Sequence, residues 1–388
     1  MGTPNIRDQV AIAGIGCTEF SKDSGVSTLT LGTRAIMAAL EDAGLAPDQL
    51  DGVATYRVGD SVLPAILAQS LGIQDLRYYV DQFGGGSVSH SVVGQAALAI
   101  HAGIADYIVC YRALNARSEF RMGGTGRPPV DAVETQYQAP FGYFNPPQQY
   151  AMAARAHMEK FGTTAADFGA VAVAQRAFAE KNERALQRSP MTLDDYFASR
   201  CIVDPFRLFD CCLETDGAVA ILLTSRERAQ DLKKDPVLIS GASWGSGHTL
   251  YSNQQPDPTR TAAADMAPRL FEMAGIGPSE IDVAELYDCF TYSVLVQLED
   301  YGFCKKGEAG AFVESGATGL GGALPTNTHG GFLSEGYVHG FNHIYEAVSQ
   351  LRGEAGERQV EGAEVALSTA QAGYISGNSS ALILRSGT

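Results

Sequence analysis

The chain has 388 residues, 45% of them hydrophobic, and a formal net charge of −16. That length allows two domains, or one fused pair of similar halves, with sizeable cores. The acidity argues against nucleic acid or an anionic membrane as the main partner. The start, Met1 to Asp8, lacks the charged region and apolar run of a signal peptide, and no apolar run approaches the roughly 18 residues of a membrane span. The seven cysteines, an odd number in mostly apolar surroundings, fit a reducing cytoplasm better than a disulfide framework. Adjacent Cys211 and Cys212 lack metal-ligand spacing, so no metal is expected.

In chain order, Val10 to Gly14 reads as a strand, and Leu31 to Leu40 as an amphipathic helix closed by Ala43-Gly44. A further strand runs from Ala105 to Val109, and another from Ala218 to Leu223. The same order then returns. Val237 to Gly241 echoes the first strand, and Ala264 to Met273 with Ala274-Gly275 echoes the helix. Glu272 to Asp282 is a near copy of Glu41 to Asp51, and the strands Ala363 to Leu367 and Ala381 to Leu384 close the repeat. Each half reads β-α-β-α-β-β. The strands are continuously apolar, which calls for helices on both faces of a sheet. Two such halves, 1–230 and 231–388, stack into an α/β body of five layers, α-β-α-β-α.

The stretch from about Arg112 to Arg207 has no counterpart. It holds a Gly/Pro-rich part (Gly123 to Pro129), an aromatic part (Tyr137 to Tyr150) and helical patterns over Ala151–Lys160 and Ala165–Asn182. An insertion of this size carries function, as a lid or a contact between subunits. Arg112, Arg117, Arg121 and Arg127 form a local basic island, read as solvated loop arginines.

Two loops carry chemistry. One runs through Pro325 to Gly331 and on to Gly336-Tyr337-Val338-His339-Gly340; the other is Glu285 to Phe290, with Tyr287, Asp288 and Cys289. Together with Asp204 to Leu208, Thr215 to Ala220 and Gln350 to Val360, they resemble the thiolase superfamily, in its sterol-carrier and lipid-transfer-protein type. The resemblance spans nearly the whole chain and implies the thiolase fold. In that family both loops present a histidine where this chain has Tyr337 and Tyr287. The nucleophilic cysteine would open the helix near Phe83 to His90, at or beside Ser87, and the second cysteine is missing from Thr369 to Tyr374. A serine hydroxyl without an adjacent base is a poor substitute for a thiolate. His90, three residues further on, is the one nearby base, and a core role suits it better. His329 is a site candidate, His343 reads as structural, His339 stays open, and Asp288 serves to orient its loop.

An acyl-CoA pocket has donors near the thioester oxygen, here backbone N–H groups around Ser87 and Gly373, and these stabilise an enolate as well as a tetrahedral oxyanion. Retro-aldol cleavage of a β-hydroxyacyl thioester yields that enolate with no covalent intermediate. It needs only an acid and a base, which Tyr337 and Tyr287 supply as phenols. Within the superfamily the likeness is greatest to the aldolases of actinobacterial steroid side-chain degradation. This implies cleavage of a 17-hydroxy steroid with a three-carbon acyl-CoA side chain to a 17-keto steroid and propionyl-CoA. It also implies no cofactor beyond the CoA of the substrate, a homodimeric core with its contact near Tyr107 to Arg112, and a small OB-fold partner with a zinc ribbon. Two other readings stay open: an acyltransferase or thiolase with an unusual nucleophile such as Ser87, and a non-catalytic acyl-CoA-binding subunit.

Overall fold

The computed structural model describes residues 5–119, 121, 136–137, 139–143, 145–246, 256–370 and 378–387. The first half runs β1 (Val10–Cys17), α1 (Thr28–Ala43), β2 (Gly52–Arg57), α2 (Pro64–Leu71), β3 (Tyr78–Phe83), α3 (Ser89–His101) and β4 (Tyr107–Asn115). The insertion supplies α4 (Pro146–Phe161), α5 (Ala165–Ala179), α6 (Leu193–Ala198) and a small β5–β6 pair (Cys201–Val203, Phe206–Arg207), after which β7 (Asp216–Ser225) closes the half. The second half has β8 (Val237–Gly245), α7 (Ala263–Ala274), β9 (Val283–Glu285), α8 (Thr291–Asp300), α9 (Phe341–Leu351), β10 (Val365–Thr369) and β11 (Ser379–Ser386).

The repeat seen in the sequence is structural. Helices α1 and α7 both end on a left-handed glycine, Gly44 at φ 76° and Gly275 at φ 71°. Glycine adopts that conformation without a Cβ clash, and its N–H satisfies carbonyls of the last helical turn. Each helix leads through a 3₁₀ turn begun by a proline, Pro47 or Pro278, into a short strand. Nine strands hydrogen-bond in the order β3-β2-β4-β7-β1-β8-β11-β10-β9. The halves join at β1 and β8, where Ala11 pairs with Leu238 and Ile12 with Val237. Helix α3 packs against strands of both halves, as does α9, while α1 covers β1, β4 and β7 and α7 covers β8 and β11. This is the α-β-α-β-α order.

The structure adds a β-α step that the apolar pattern omits. Strand β3 is parallel to β2 and has no second neighbour among the described residues. As an edge strand it carries Asp81, which takes Arg57 in a two-pronged ion pair at 2.9 and 2.8 Å, so it never reads as a buried apolar run. In the second half the equivalent strand shrinks to one parallel bridge between Ala284 and Thr326.

Two expectations are corrected. Tyr107 to Arg112 lies on β4, which is paired on both sides by β2 and β7, so that stretch is interior and has no open edge for a partner strand. Arg112 is no solvated loop arginine: its side chain is wholly buried on that strand. Arg127 and Gly123 to Pro129 lie outside the described residues. The insertion packs on the second half, where Phe168, Tyr196 and Phe206 join one core with Phe290 and Tyr292. Phe206 stacks on Phe290 at 5.2 Å, next to the loop that holds Tyr287.

Candidate active site

Tyr287 leaves the carboxyl end of β9, and its backbone is fully engaged. Its N–H donates to Thr369 Oγ1 (2.9 Å), and its carbonyl accepts from Gln297 Nε2 (2.7 Å) and Ser293 Oγ (2.9 Å). The preceding residue, Leu286, is gripped on both backbone groups by the side chain of Asn327 at 2.7 and 2.8 Å. Tyr337 lies between the helical turn Gly331–Ser334 and α9, with its N–H on Thr215 Oγ1 at 3.0 Å. These two anchored loops bring the phenol oxygens within 2.5 Å of each other. Phe332 packs against both rings, with centroids 4.9 Å from each.

The tyrosine pair meets the loop where the family cysteine would stand. A Cβ on Gly86 would fall 1.7 Å from Tyr287 Oη, so only glycine admits that hydroxyl. Ser87, the next residue, is half-buried, and its carbonyl accepts from Ser380 Oγ at 2.8 Å. His90 does not serve Ser87. Its ring nitrogens contact Ser89 Oγ at 2.9 Å and Ser368 Oγ at 2.7 Å, and burial holds the ring neutral. Gly373, expected to add a donor, lies outside the described residues.

Burial raises both phenols well above their ordinary range, and for Tyr287 the neighbouring Tyr337 adds to it. Both are therefore uncharged at neutral pH, and one donates its proton to the other. Two nearby thiols are no better nucleophiles. Burial raises Cys289 to about 12 and Cys212 well above its usual value, so neither is a thiolate.

The other expected site residues sit one layer back. Asp288 accepts the N–H groups of Phe332 (3.0 Å) and Leu333 (3.3 Å), pinning the turn that leads to Tyr337. His343 contacts His329 through its Nδ1 (3.0 Å), has Nε2 3.1 Å from Asp288, and stacks on Phe332 at 4.0 Å. His329 is wholly buried and faces Glu285 at 3.0 Å and Glu335 at 3.6 Å. Burial favours its neutral ring, but Glu335 and Glu285 outweigh it and raise His329 to about 9. Glu285, His329 and His343 are also the set of metal-ligand types among the described residues whose donor atoms lie within 4.8 Å of one another. Around this cluster, Arg184 reaches Glu335 at 3.0 Å and Arg358 reaches Glu346 at 3.0 Å. It supports the site loops from behind the Phe332 wall.

Sequence reasoning overlooked the clamp on the other side. Arg112, Asp60 and Tyr56 converge on His339, two residues past Tyr337. An arginine inside the otherwise apolar run Ile108 to Leu114 was the available signal.

The Thiolase C-terminal domain-like family model matches residues 245–386. The chain is 43% identical over 375 residues to the 17-hydroxy-3-oxo-4-pregnene-20-carboxyl-CoA lyase of Mycobacterium tuberculosis, covering 94% of this chain and 97% of that protein. It is 44% identical over 353 residues to the steroid side-chain-cleaving aldolase of Thermomonospora curvata, covering 88% and 90%. Among solved structures, an Ltp2-ChsH2(DUF35) aldolase superposes with a TM-score of 0.93 at 41% identity, over 99% of both chains. Human mitochondrial 3-ketoacyl-CoA thiolase shares the fold, with a TM-score of 0.73 at 15% identity over 99% of this chain and 100% of that one. The chain belongs to the thiolase superfamily, on the branch that holds these aldolases.

Proposed function

We propose that this chain is a carbon–carbon lyase that cleaves the Cα–Cβ bond of a β-hydroxyacyl-CoA. The substrate is a 17-hydroxy steroid with a three-carbon acyl-CoA side chain, and the products are a 17-keto steroid and propionyl-CoA. The observation that carries this reading is the 2.5 Å contact between Tyr287 Oη and Tyr337 Oη, at the two positions where the family places histidines. Tyr337 accepts the proton of the substrate hydroxyl and passes its own to Tyr287, which delivers a proton to Cα. The Cα–Cβ electron pair moves onto Cα and the thioester carbonyl as the ketone forms. Since both phenols are held neutral, the protons move together and no free phenolate builds up. The enolate oxygen is met by backbone N–H groups near Ser87. The assignment of the two tyrosines is interchangeable, and no cofactor or metal is needed.

The test is product analysis. Incubation with the steroid thioester, with and without an OB-fold partner carrying a zinc ribbon, is expected to release propionyl-CoA and a ketone. No product under either condition refutes the reading. Ser87→Ala is expected to keep turnover within about tenfold of the parent, because no acyl-enzyme forms there. Intact-protein mass after an acylating CoA analogue is expected to show no adduct; an adduct on Ser87 would favour acyl transfer instead.

The assembly follows the same reading: two repeated halves, 1–230 and 231–388, in a cytoplasmic homodimer that binds the OB-fold partner. No helix among the described residues is long and apolar enough to cross a membrane. The dimer contact belongs on the open edge of β3, where Tyr79 and Phe83 are 46% and 84% exposed. Replacing both with lysine is expected to yield a monomer in sedimentation at micromolar concentration. An unchanged dimer places the contact elsewhere.

A further inference from the structure

His339 stands two residues beyond Tyr337 in a left-handed backbone conformation, φ 48°. Its ring lies edge-on to the tyrosine, with centroids 4.6 Å apart. Nδ1 is 2.8 Å from Arg112 Nη2. A guanidinium offers donors and no acceptor, so Nδ1 presents its lone pair and the ring proton sits on Nε2. Arg112 has no freedom to release that contact. Its Nη1 donates to the Tyr56 carbonyl at 2.8 Å, its Nη2 pairs with Asp60 at 2.5 Å, and its guanidinium lies 4.9 Å over the Tyr56 ring. The Tyr56 hydroxyl in turn donates to the His339 carbonyl at 2.5 Å. Side chains from β2, the loop after it and β4 thus fix the position and the tautomer of one imidazole. Burial, and after it the charge of Arg112, push His339 down to about 3 against the pull of Asp60. Among the described residues, Nε2 has no protein acceptor.

We infer that His339 is a further site residue, an uncharged imidazole whose Nε2–H donates a hydrogen bond to the substrate hydroxyl oxygen as that oxygen gives its proton to Tyr337. Arg112, Asp60 and Tyr56 are its positioning residues. The inference rests on the retro-aldol reading. As the hydroxyl proton leaves, negative charge grows on that oxygen until the carbonyl forms, and a prepositioned N–H stabilises this charge. A ring locked as the Nε2–H tautomer donates without competing for the proton that Tyr337 takes.

The experiment has two arms. Nitrogen NMR of histidine-labelled protein, with the signal assigned through His339→Gln, is expected to show the Nε2–H tautomer with no titration between about pH 5 and 9. An Nδ1–H tautomer or an imidazolium in that range overturns the inference. In steady-state kinetics, His339→Phe is expected to lower kcat about 100-fold, the scale of losing one transition-state donor, with little change in KM. His339→Gln, which keeps an acceptor and a donor, is expected to recover most of that loss. In a Tyr337→Phe background, His339→Phe is expected to add little. A parent rate from His339→Phe, or equal losses from the Phe and Gln variants with native melting curves, overturns the inference. Absence of turnover in the unaltered protein instead sinks the retro-aldol reading, and the NMR arm still decides the tautomer.

Discussion

Tyr337→Phe and Tyr287→Phe are each expected to lower kcat by about 10²- to 10⁴-fold, the usual range for a lost general acid or base. Each change removes one oxygen, and the two oxygens involved bond to each other at 2.5 Å. The ring contacts with Phe332 at 4.9 Å need no hydroxyl, so folding and thioester binding are expected to persist. On the proposed relay through both phenols, the double variant is expected to be no slower than the worse single one. The parent profile of kcat/KM should show no limb from these tyrosines between about pH 6 and 9, since both phenols are raised by burial. Tyr337→His is expected not to create thiolysis, because position 87 still carries serine. Steady-state rates alongside thermal melts check all of this, and parent rates from both phenylalanine variants would end the relay.

The second large effect is on stability. His329 is raised from 6.5 to about 9 by Glu335 and Glu285 against the cost of burial. A histidine raised in the folded state contributes stability that is fully present below its unfolded value and is lost as pH climbs through the folded one. Here that window runs from about pH 6.5 to 9, and the loss amounts to about 3 kcal/mol. Glu335 behaves in the opposite sense. Against its own burial, His329, Arg184 and Asn342 hold it below the usual range, so its contribution is lost only as the solution becomes acidic. Urea unfolding across pH 6.5 to 9 is expected to show the decline, and His329→Gln to flatten it. A parent protein with constant stability over that window would show that His329 carries no proton there.

The repeat, the layer order and the tyrosine pair were legible in the chain. Apolar strands such as Ala218 to Leu223, and the glycines that close α1 and α7, act through local rules of burial and backbone conformation. Those rules hold whatever the rest of the chain does. Tyr287 and Tyr337 stood out because their neighbouring residues resemble a known loop in order and spacing.

Edges and buried charges were not legible. Strand β3 carries charge because, among the described residues, it has only one neighbouring strand, a fact of the sheet and not of its six residues. Arg112 looks like a surface residue until Asp60 and Tyr56 come to it from β2 and the following loop. His329 becomes cationic only when Glu285 and Glu335 close around it. Sequence by itself determined most of the elements, because hydrophobic periodicity and turn chemistry are local, and its likeness to known loops picked out the two phenols. Only the tertiary structure decided which buried charges are compensated, and so how His329 and His339 are protonated. Electrostatic energy in a dry interior depends on distances between segments far apart in the chain.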